Sequence, residues 1–247
     1  MDPGQCGLKG SSITHYLIKL LHFIHSTLDK KKPHSVLTAC VDISKAFNRV
    51  DHSLVIQDLH DMHTPAWLLK IIFSYLTERS MVLTFNAAKS TQKFLPGGGP
   101  QGAFLGGLIF MIKFNVAFLR PPIPRPIRGP VTKSKAQTVK YVDDGAIAVS
   151  IDLKQCLQLD SVARPKPLNY HERTSHVLPA VNNLLQYYIH DTEIFTQENK
   201  MIINKQKTKV LSFNKSKKWD FPPELSFVDG TMIECIQKTK LVGVILS

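Results

Sequence analysis

The chain opens with apolar residues at helical spacing. They recur every three or four positions, at Ile13, Tyr16, Leu17, Leu20, Leu21, Ile24 and Leu28. Ser11 or Ser12 can cap the first turn, and Pro33 cannot continue a helix. The pattern predicts a helix that buries one face. The following segment, VLTACVDI at 36–43, is apolar and rich in β-branched residues, which predicts a buried strand with Asp42 near its end.

The rest of the chain alternates between short helical and short extended patterns. We predict helices at 53–62, 65–78, 101–119 and 178–195, a hairpin from 81–85 and 91–95, a strand–turn–strand at 138–150, and short strands at 210–213 and 239–246. Thr64 and Pro65 provide a cap and a first-turn proline for the second of these helices. This order predicts an α+β fold with a mostly antiparallel sheet backed by helices.

The protein is basic and has enough hydrophobic residues for a sizeable core. The 247 residues include 43% hydrophobic side chains, and 31 basic against 19 acidic residues give a formal net charge of +12. Such a balance favours a polyanionic partner, with nucleic acid ahead of a membrane surface. The four cysteines lie far apart, and no apolar run has the length of a membrane span. We expect an intracellular, soluble protein; the sequence does not distinguish nucleus from cytoplasm and identifies no protein partner.

Three aspartates carry the candidate chemistry. Asp42 stands at the end of an apolar strand, and Asp143 and Asp144 occupy a tight turn between the apolar segments VKYV and AIAVS. Taken singly, Asp42 is explained by a strand-end cap and Asp-Asp-Gly by a plain hairpin turn. Gathered on neighbouring strands, the carboxylates would repel one another unless a divalent cation neutralised them. Hard oxygen ligands in small number suit Mg²⁺.

Five segments in order resemble the reverse transcriptases of LINE-type (non-LTR) retrotransposons. DISKAFNRVDH at 42–52 resembles motif A, GGGPQGAFLGGLIF at 97–110 motif B, YVDDG at 141–145 motif C and INKQKTKVLSF at 203–213 motif D, while KLVGVIL at 240–246 is similar to the strand that closes the palm. The resemblance runs from about Gln5 to the C-terminus. It implies one reverse transcriptase domain over 1–247: a palm with partial fingers and a basic, proline-rich insertion at 120–137. The start of the fingers and the thumb are not identified.

The resemblance also implies a role for each matching residue. Asp42, Asp143 and Asp144 would hold two Mg²⁺ ions, with Mn²⁺ as a substitute, and Lys207 would protonate or neutralise the leaving pyrophosphate. The substrate-binding set would comprise Ile43 through its backbone carbonyl, Phe47 as a gate against the 2′-hydroxyl, Gln101, Gly102 and Tyr141. Phe47 is alternatively an ordinary core residue. Lys207 is alternatively part of a solvated basic face with Lys205 and Lys209.

The expected partners are an RNA or DNA template–primer and dNTPs. Nucleic-acid contacts are predicted for the basic insertion, at Arg120, Arg125, Arg128, Lys133 and Lys135. A solubilising insertion accounts for the same composition.

Several positions depart from the family pattern and keep other functions open. Asn48 stands where motif A has an acid, Ala103 where motif B has Ser or Thr, and Gly106-Gly107 where it often has Ser-Pro. The leading prediction is an RNA-directed DNA polymerase. The alternative is a catalytically inactive, nucleic-acid-binding remnant of a retrotransposon polymerase. Further alternatives are an RNA polymerase, which Phe47 disfavours, and a nucleotide cyclase, which Pro100-Gln101-Gly102 disfavours. A basic scaffold protein is the alternative if none of the motif matches is real.

Overall fold

The computed structural model describes residues 4–7, 10–31, 34–99, 104–116, 135–142, 144–152, 170–215, 224–241 and 244–246. Its helices are α1 (Ile13–Leu28), a 3₁₀ turn (Ala46–Arg49), α2 (His52–Asp61), α3 (Ala66–Leu76), α4 (Phe104–Val116) and α5 (Tyr170–Glu198). Its strands are β1 (His34–Val41), β2 (Ser80–Met81), β3 (Thr84–Phe85), β4 (Ala88–Lys89), β5 (Lys93–Phe94), β6 (Lys135–Tyr141), β7 (Asp144–Asp152), β8 (Lys209–Asn214), β9 (Cys235–Ile236), β10 (Thr239–Leu241) and β11 (Val244–Leu246).

A five-stranded sheet in the order β6-β7-β1-β8-β9 forms the centre. The middle strand, β1, pairs antiparallel with both β7 and β8, whereas β8 and β9 are parallel. All residues of β1 after His34 are buried, because helices cover both faces of the sheet. This arrangement confirms the predicted α+β class with a mostly antiparallel sheet.

Each face of the sheet packs on a different helix. One face contributes Leu37, Ala39 and Val149 to a cluster with Leu185 and Ile189 of α5. The other face, which includes Val36 and Ala148, packs against Tyr16, Leu20 and Ile24 of α1. Alternate residues of the same strand therefore enter opposite cores, as the two-residue repeat of a strand requires.

A third apolar cluster joins the helices beside the sheet. Residues of α2, α3 and α4, including Val55, Ile72, Phe110 and Phe114, pack with Ile43 and Val50 at the exit of β1. Lys113 of α4 is buried in this region and forms an ion pair with Asp58 of α2, with 2.6 Å between Nζ and Oδ2. The cluster fixes the segment after Asp42 against α4.

Several predicted boundaries were wrong. The strand predicted at 36–43 spans His34–Val41, because the amide of Asp42 bonds to the Thr208 side chain. Pro65 precedes the first residue of α3. Residues 135–137, predicted as insertion, form the start of β6.

Two further segments differ in extent. The strand predicted at 239–246 is two short strands that pair with each other, with Gly243 between them in the sequence. The long helix begins at Tyr170, eight residues before the predicted start, and continues through Pro179. Proline favours a helix start, and the polar residues before it carry no apolar repeat. Among the described residues, no helix is long and apolar enough to cross a membrane.

Candidate active site

Two of the predicted carboxylates lie at the same edge of the sheet. Asp42 follows the last residue of β1, and Asp144 is the first residue of β7. In the register of the two strands, Val41 is opposite Gly145. The next positions along the pair are therefore Asp42 and Asp144. Asp143, the third predicted carboxylate, lies outside the described residues.

A tight turn before β8 holds the backbone of Asp42 on both sides. The Asp42 amide donates to the hydroxyl of Thr208 at 3.3 Å, and the Asn204 amide donates to the Asp42 carbonyl at 2.8 Å. Within the turn, the Thr208 amide donates to the Asn204 carbonyl at 2.9 Å. The side chain of Thr208 is buried. Asn204 and Thr208 thus position Asp42, a role that the Asn-x-x-Lys-Thr spacing did not disclose because their contacts to Asp42 span more than 160 residues.

Lys207 points toward Asp42, while its two neighbouring lysines have other partners. Its Nζ lies 3.8 Å from Oδ2 of Asp42, and its side chain is 70% exposed. Lys205 pairs with Asp229 and lies over the Phe227 ring, and Lys209 pairs with Glu234. Of these three lysines, Lys207 is the one directed at the predicted site, which favours a functional role over a solvated basic face.

A cavity of about 310 Å³ opens beside Asp42. It is lined by residues 42–48 together with Asn204 and Lys207. Phe47 forms part of the wall, and its ring stacks on Phe110 of α4 with 4.3 Å between centroids. The ring is half-buried. Phe47 therefore serves as both a core contact and a cavity wall, so the two interpretations of this residue are compatible.

Three hydrogen bonds tie the glycine loop at 97–99 to the segment after Asp42. Gly98 donates to the Val50 carbonyl at 2.8 Å, and Gly99 donates to the Phe47 carbonyl at 2.7 Å. Nε2 of His52 lies 2.9 Å from the Gly98 carbonyl oxygen, so the ring donates in the tautomer that carries a proton there. The loop leads to Pro100, Gln101 and Gly102, which lie outside the described residues. No pattern in the sequence singled out His52 as a partner of this loop.

Burial and, to a smaller extent, the charge of the Asp144 carboxylate raise the pKa of two groups, Cys40 and Tyr16. Burial raises the pKa of the Cys40 thiol to about 12, and the charge of Asp144 adds to this shift. Burial, with smaller contributions from Cys40 and Asp144, raises the pKa of the Tyr16 hydroxyl far above its ordinary value. That hydroxyl is buried and has no hydrogen-bond partner among the described residues. Both groups therefore stay neutral at ordinary pH.

The donor set at the sheet edge suits a divalent cation in kind. Asp42 and Asp144 provide carboxylates. The β-bridge between Ile43 and Ile203 is formed by hydrogen bonds of the flanking residues, so the Ile43 carbonyl oxygen accepts no hydrogen bond in this bridge. Hard oxygen atoms of this sort are the ligands of Mg²⁺. No group of three or more Asp, Glu, His or Cys side chains is close enough to hold an ion within the part of the chain that the structure describes, a part that excludes Asp143.

A comparison of the sequence with protein families decides the assignment. The family described as reverse transcriptase (RNA-dependent DNA polymerase) matches residues 5–223. The chain belongs to this reverse transcriptase family. Its members are RNA-directed DNA polymerases, which are nucleotidyltransferases. The match confirms the predicted resemblance at the level of the family, and the LINE-type subclass stays a prediction.

Other comparisons add little to the assignment. A solved structure of telomerase from Candida tropicalis in complex with the TWJ fragment of telomeric RNA is similar, with 10% identity and a TM-score of 0.49. The similarity covers 91% of this chain, which spans 32% of the length of the telomerase chain. A search of curated protein sequences finds no match.

The remaining predicted residues of this reverse transcriptase domain are Tyr141 and the five basic residues of the insertion. Tyr141 is half-buried at the end of β6, where it pairs with Asp144. Lys135 is exposed at the other end of β6, six residues away, or roughly 20 Å along a strand. Lys135 is therefore not part of the group around Asp42 and Asp144. Arg120, Arg125, Arg128 and Lys133 lie outside the described residues.

Proposed function

We propose that the chain is the polymerase domain of a LINE-type retrotransposon and adds dNTPs to a primer 3′-hydroxyl under the direction of an RNA or DNA template. The observation that carries this proposal is the meeting of Asp42 and Asp144 at one sheet edge, beside a cavity walled by Phe47 and Lys207. Family membership supports the reaction class.

The carboxylates would hold the metal ions of the reaction. Asp42 and Asp144, together with Asp143, would bind Mg²⁺, with Mn²⁺ as a substitute. When bound, the ions activate the primer 3′-hydroxyl and stabilise charge on the leaving pyrophosphate. Asn204 and Thr208 fix the backbone of Asp42, so its carboxylate needs little reorganisation before a cation or substrate binds.

Two side chains of the cavity would act directly on the nucleotide. Lys207 carries a positive charge on an exposed, flexible stem near Asp42, which suits it to neutralise or protonate the pyrophosphate as it leaves. Phe47 would bar a 2′-hydroxyl, because stacking on Phe110 holds its ring in place. Gln101 and Gly102, which follow the tethered glycine loop, would contact the incoming nucleotide.

Primer extension tests this proposal. We would measure incorporation of dTTP on poly(rA)/oligo(dT) with Mg²⁺ or Mn²⁺, for the wild-type chain and for Asp42→Asn and Asp143→Asn. The matched control is Asp61→Asn, which removes an exposed carboxylate from α2. Loss of incorporation in the first two variants, with retention in the control, supports the proposal. Incorporation that persists in Asp42→Asn rules out the proposed site.

A nucleic-acid-binding remnant without catalysis is the second candidate. The observations in its favour are Asn48 in place of the motif A acid and the net charge of +12. If the wild-type chain binds the template–primer in a salt-dependent way but incorporates no nucleotide with either metal, this candidate replaces the first.

A further inference from the structure

A second cavity lies next to the candidate active site and is lined by basic residues. Its volume is about 690 Å³, and it opens between the 3₁₀ turn after Asp42, the base of the β2–β5 hairpin and the glycine loop at 97–99. The charged side chains of its lining are Arg49, Arg79, Lys200 and Asp51. The other lining residues are apolar or glycine, apart from Asn48.

The acidic residue of this cavity is already engaged. Lys200 lies 2.5 Å from Oδ2 of Asp51, and the Leu54 amide donates to Oδ1 of Asp51 at 3.1 Å. The hydrogen bond from Lys200 is the main reason that the pKa of Asp51 lies below its ordinary value. Asp51 is therefore ionised and paired, and the positive charges of Arg49 and Arg79 have no carboxylate partner in the lining.

Both guanidinium groups are partly withdrawn from water without compensation. Nε of Arg49 and Nη1 of Arg79 are enclosed and have no hydrogen-bond partner among the described residues. The guanidinium carbon of Arg79 lies 5.0 Å from the centre of the Tyr75 ring, which holds the group in one orientation. A desolvated cation without a counter-ion is costly, and an anion on its open side offsets that cost. Arginine presents a fork of donors that matches the oxygen atoms of phosphate.

The cavity adjoins the candidate nucleotide site. Asn48 lines both cavities, so the short segment 45–50 separates them. A nucleic-acid strand that lies in the 690 Å³ cavity can therefore place its neighbouring phosphates in the cavity beside Asp42. The excess of basic residues in the chain has the sign that such a polyanion requires.

We infer that Arg49 and Arg79 bind phosphodiester groups of the nucleic-acid strand that passes through the active site. This inference rests on the proposed function for the identity of the strand. The two arginines hold the template–primer by its backbone, without regard to sequence, in the cavity that shares Asn48 with the candidate nucleotide site.

Binding measured by fluorescence anisotropy tests the inference with the full chain and no nucleotide. The probe is a labelled RNA–DNA duplex with a 5′ template overhang, titrated at several salt concentrations. Arg49→Gln/Arg79→Gln should bind on the order of tenfold more weakly at 0.1 M salt and lower the slope of log K against log salt by about 1 to 2. The matched control, Lys30→Gln/Lys31→Gln, removes two exposed charges beyond the opposite end of β1 and should leave the slope near the wild-type value.

The single variants guard against a folding defect. Arg79→Lys keeps the charge and should keep the slope, whereas Arg79→Gln should lower it by about 1. An arginine double variant that behaves like the Lys30/Lys31 control overturns the inference. So does an Arg79→Lys variant whose slope falls as far as that of Arg79→Gln.

Two further arms distinguish the source of the phosphate. If the arginine double variant binds a blunt duplex more weakly than wild type, the cavity binds the paired region. If only the binding of the overhang substrate is weakened, the cavity binds the unpaired template. If duplex and overhang binding are unchanged and only the KM for dTTP rises, the cavity serves the nucleotide and the inference fails. Because binding needs no catalysis, a chain that binds through the arginines but incorporates nothing contradicts the proposed function alone.

Discussion

The amide of Asp42 donates a hydrogen bond to the buried hydroxyl of Thr208, 3.3 Å away and 166 residues later in the chain. The bond replaces the next rung of the sheet and fixes where β1 ends. It makes the candidate metal-binding carboxylate dependent on the turn that also contains Lys207.

Thr208→Val removes this acceptor and keeps the shape of the side chain. We expect the free energy of unfolding to fall by about 1 kcal/mol, since a part-buried amide loses its partner. The kcat for primer extension should fall on the order of tenfold as Asp42 is misplaced. Thr208→Ser keeps the hydroxyl and serves as the control in urea unfolding and single-nucleotide kinetics. Equal kcat values for the Val and Ser variants would show that the hydrogen bond does not position the site.

The glycine loop supports a second prediction, because Gly98 is both left-handed and crowded. Its φ is +91°, and an added Cβ would lie 3.2 Å from Cα and the carbonyl oxygen of Asn48. Gly230 has a φ of +84° with open space around it. Gly230→Ala should cost about 1–2 kcal/mol from the backbone conformation alone. Gly98→Ala should cost more and should also raise the KM for dNTP.

Urea unfolding and primer extension on both alanine variants give the comparison. The difference between them isolates the crowding against the segment after Asp42. If Gly98→Ala costs no more than Gly230→Ala and leaves the KM unchanged, the loop at 97–99 does not set the position of Gln101.

Phe47 provides a third prediction, on the choice of sugar. Phe47→Ala should raise the incorporation of rNTP relative to dNTP by about tenfold or more, because the ring no longer occupies the space of a 2′-hydroxyl. Phe47→Tyr keeps the ring and the stack on Phe110, and it should keep the wild-type ratio. Competition between labelled dTTP and UTP measures the ratio directly, independently of the active fraction. An unchanged ratio in Phe47→Ala would leave Phe47 as a core residue only.

The sequence predicted the central elements well, because their patterns are local. Apolar residues mark the buried face of a helix or strand, so the spacing from Ile13 to Leu28 and the apolar run before Asp42 indicate these elements directly. The contacts that complete the site are not visible in this way. Thr208 and His52 act on backbone groups far away in the chain, and a threonine or histidine in a polar segment gives no local sign of such a partner. Arg49 and Arg79 line the same cavity only because the hairpin folds back toward the 3₁₀ turn.

Glu193 of α5 supports a prediction on pH. Its carboxylate accepts a hydrogen bond from the Val228 amide at 2.8 Å, yet burial raises its pKa above the ordinary value. A raised pKa for an acid means that the fold favours the protonated form. The stability contributed by Glu193 is therefore present below the ordinary pKa and is lost as the pH rises through the pKa of the folded protein.

Glu193→Gln keeps an oxygen for the Val228 amide and cannot ionise. Its stability relative to wild type should improve between about pH 4 and pH 7. Urea unfolding over this range, with the exposed Glu224→Gln as the control, measures the change. A difference between Glu193→Gln and wild type that is constant with pH would contradict the assigned shift.

The last prediction concerns the ion pair that anchors α4. Lys113 has a side chain that is 2% exposed, and its Nζ lies 2.6 Å from Asp58. Asp58→Asn leaves the ammonium group buried beside a neutral amide, so we expect a loss of about 3 kcal/mol in the free energy of unfolding. The double variant Asp58→Leu/Lys113→Met removes both charges and should recover most of that loss, because two apolar side chains need no compensation.

Both variants should also report on the active site, since α4 carries Phe110, the support of Phe47. We expect Asp58→Asn to lower discrimination between dTTP and UTP, and the apolar double variant to restore it along with stability. If the double variant is less stable than Asp58→Asn, the ion pair makes a net stabilising contribution. Asp58 would then do more than offset the cost of burying the Lys113 ammonium group. Restored stability without restored discrimination would mean that the ion pair sets the position of α4 and that apolar packing alone does not.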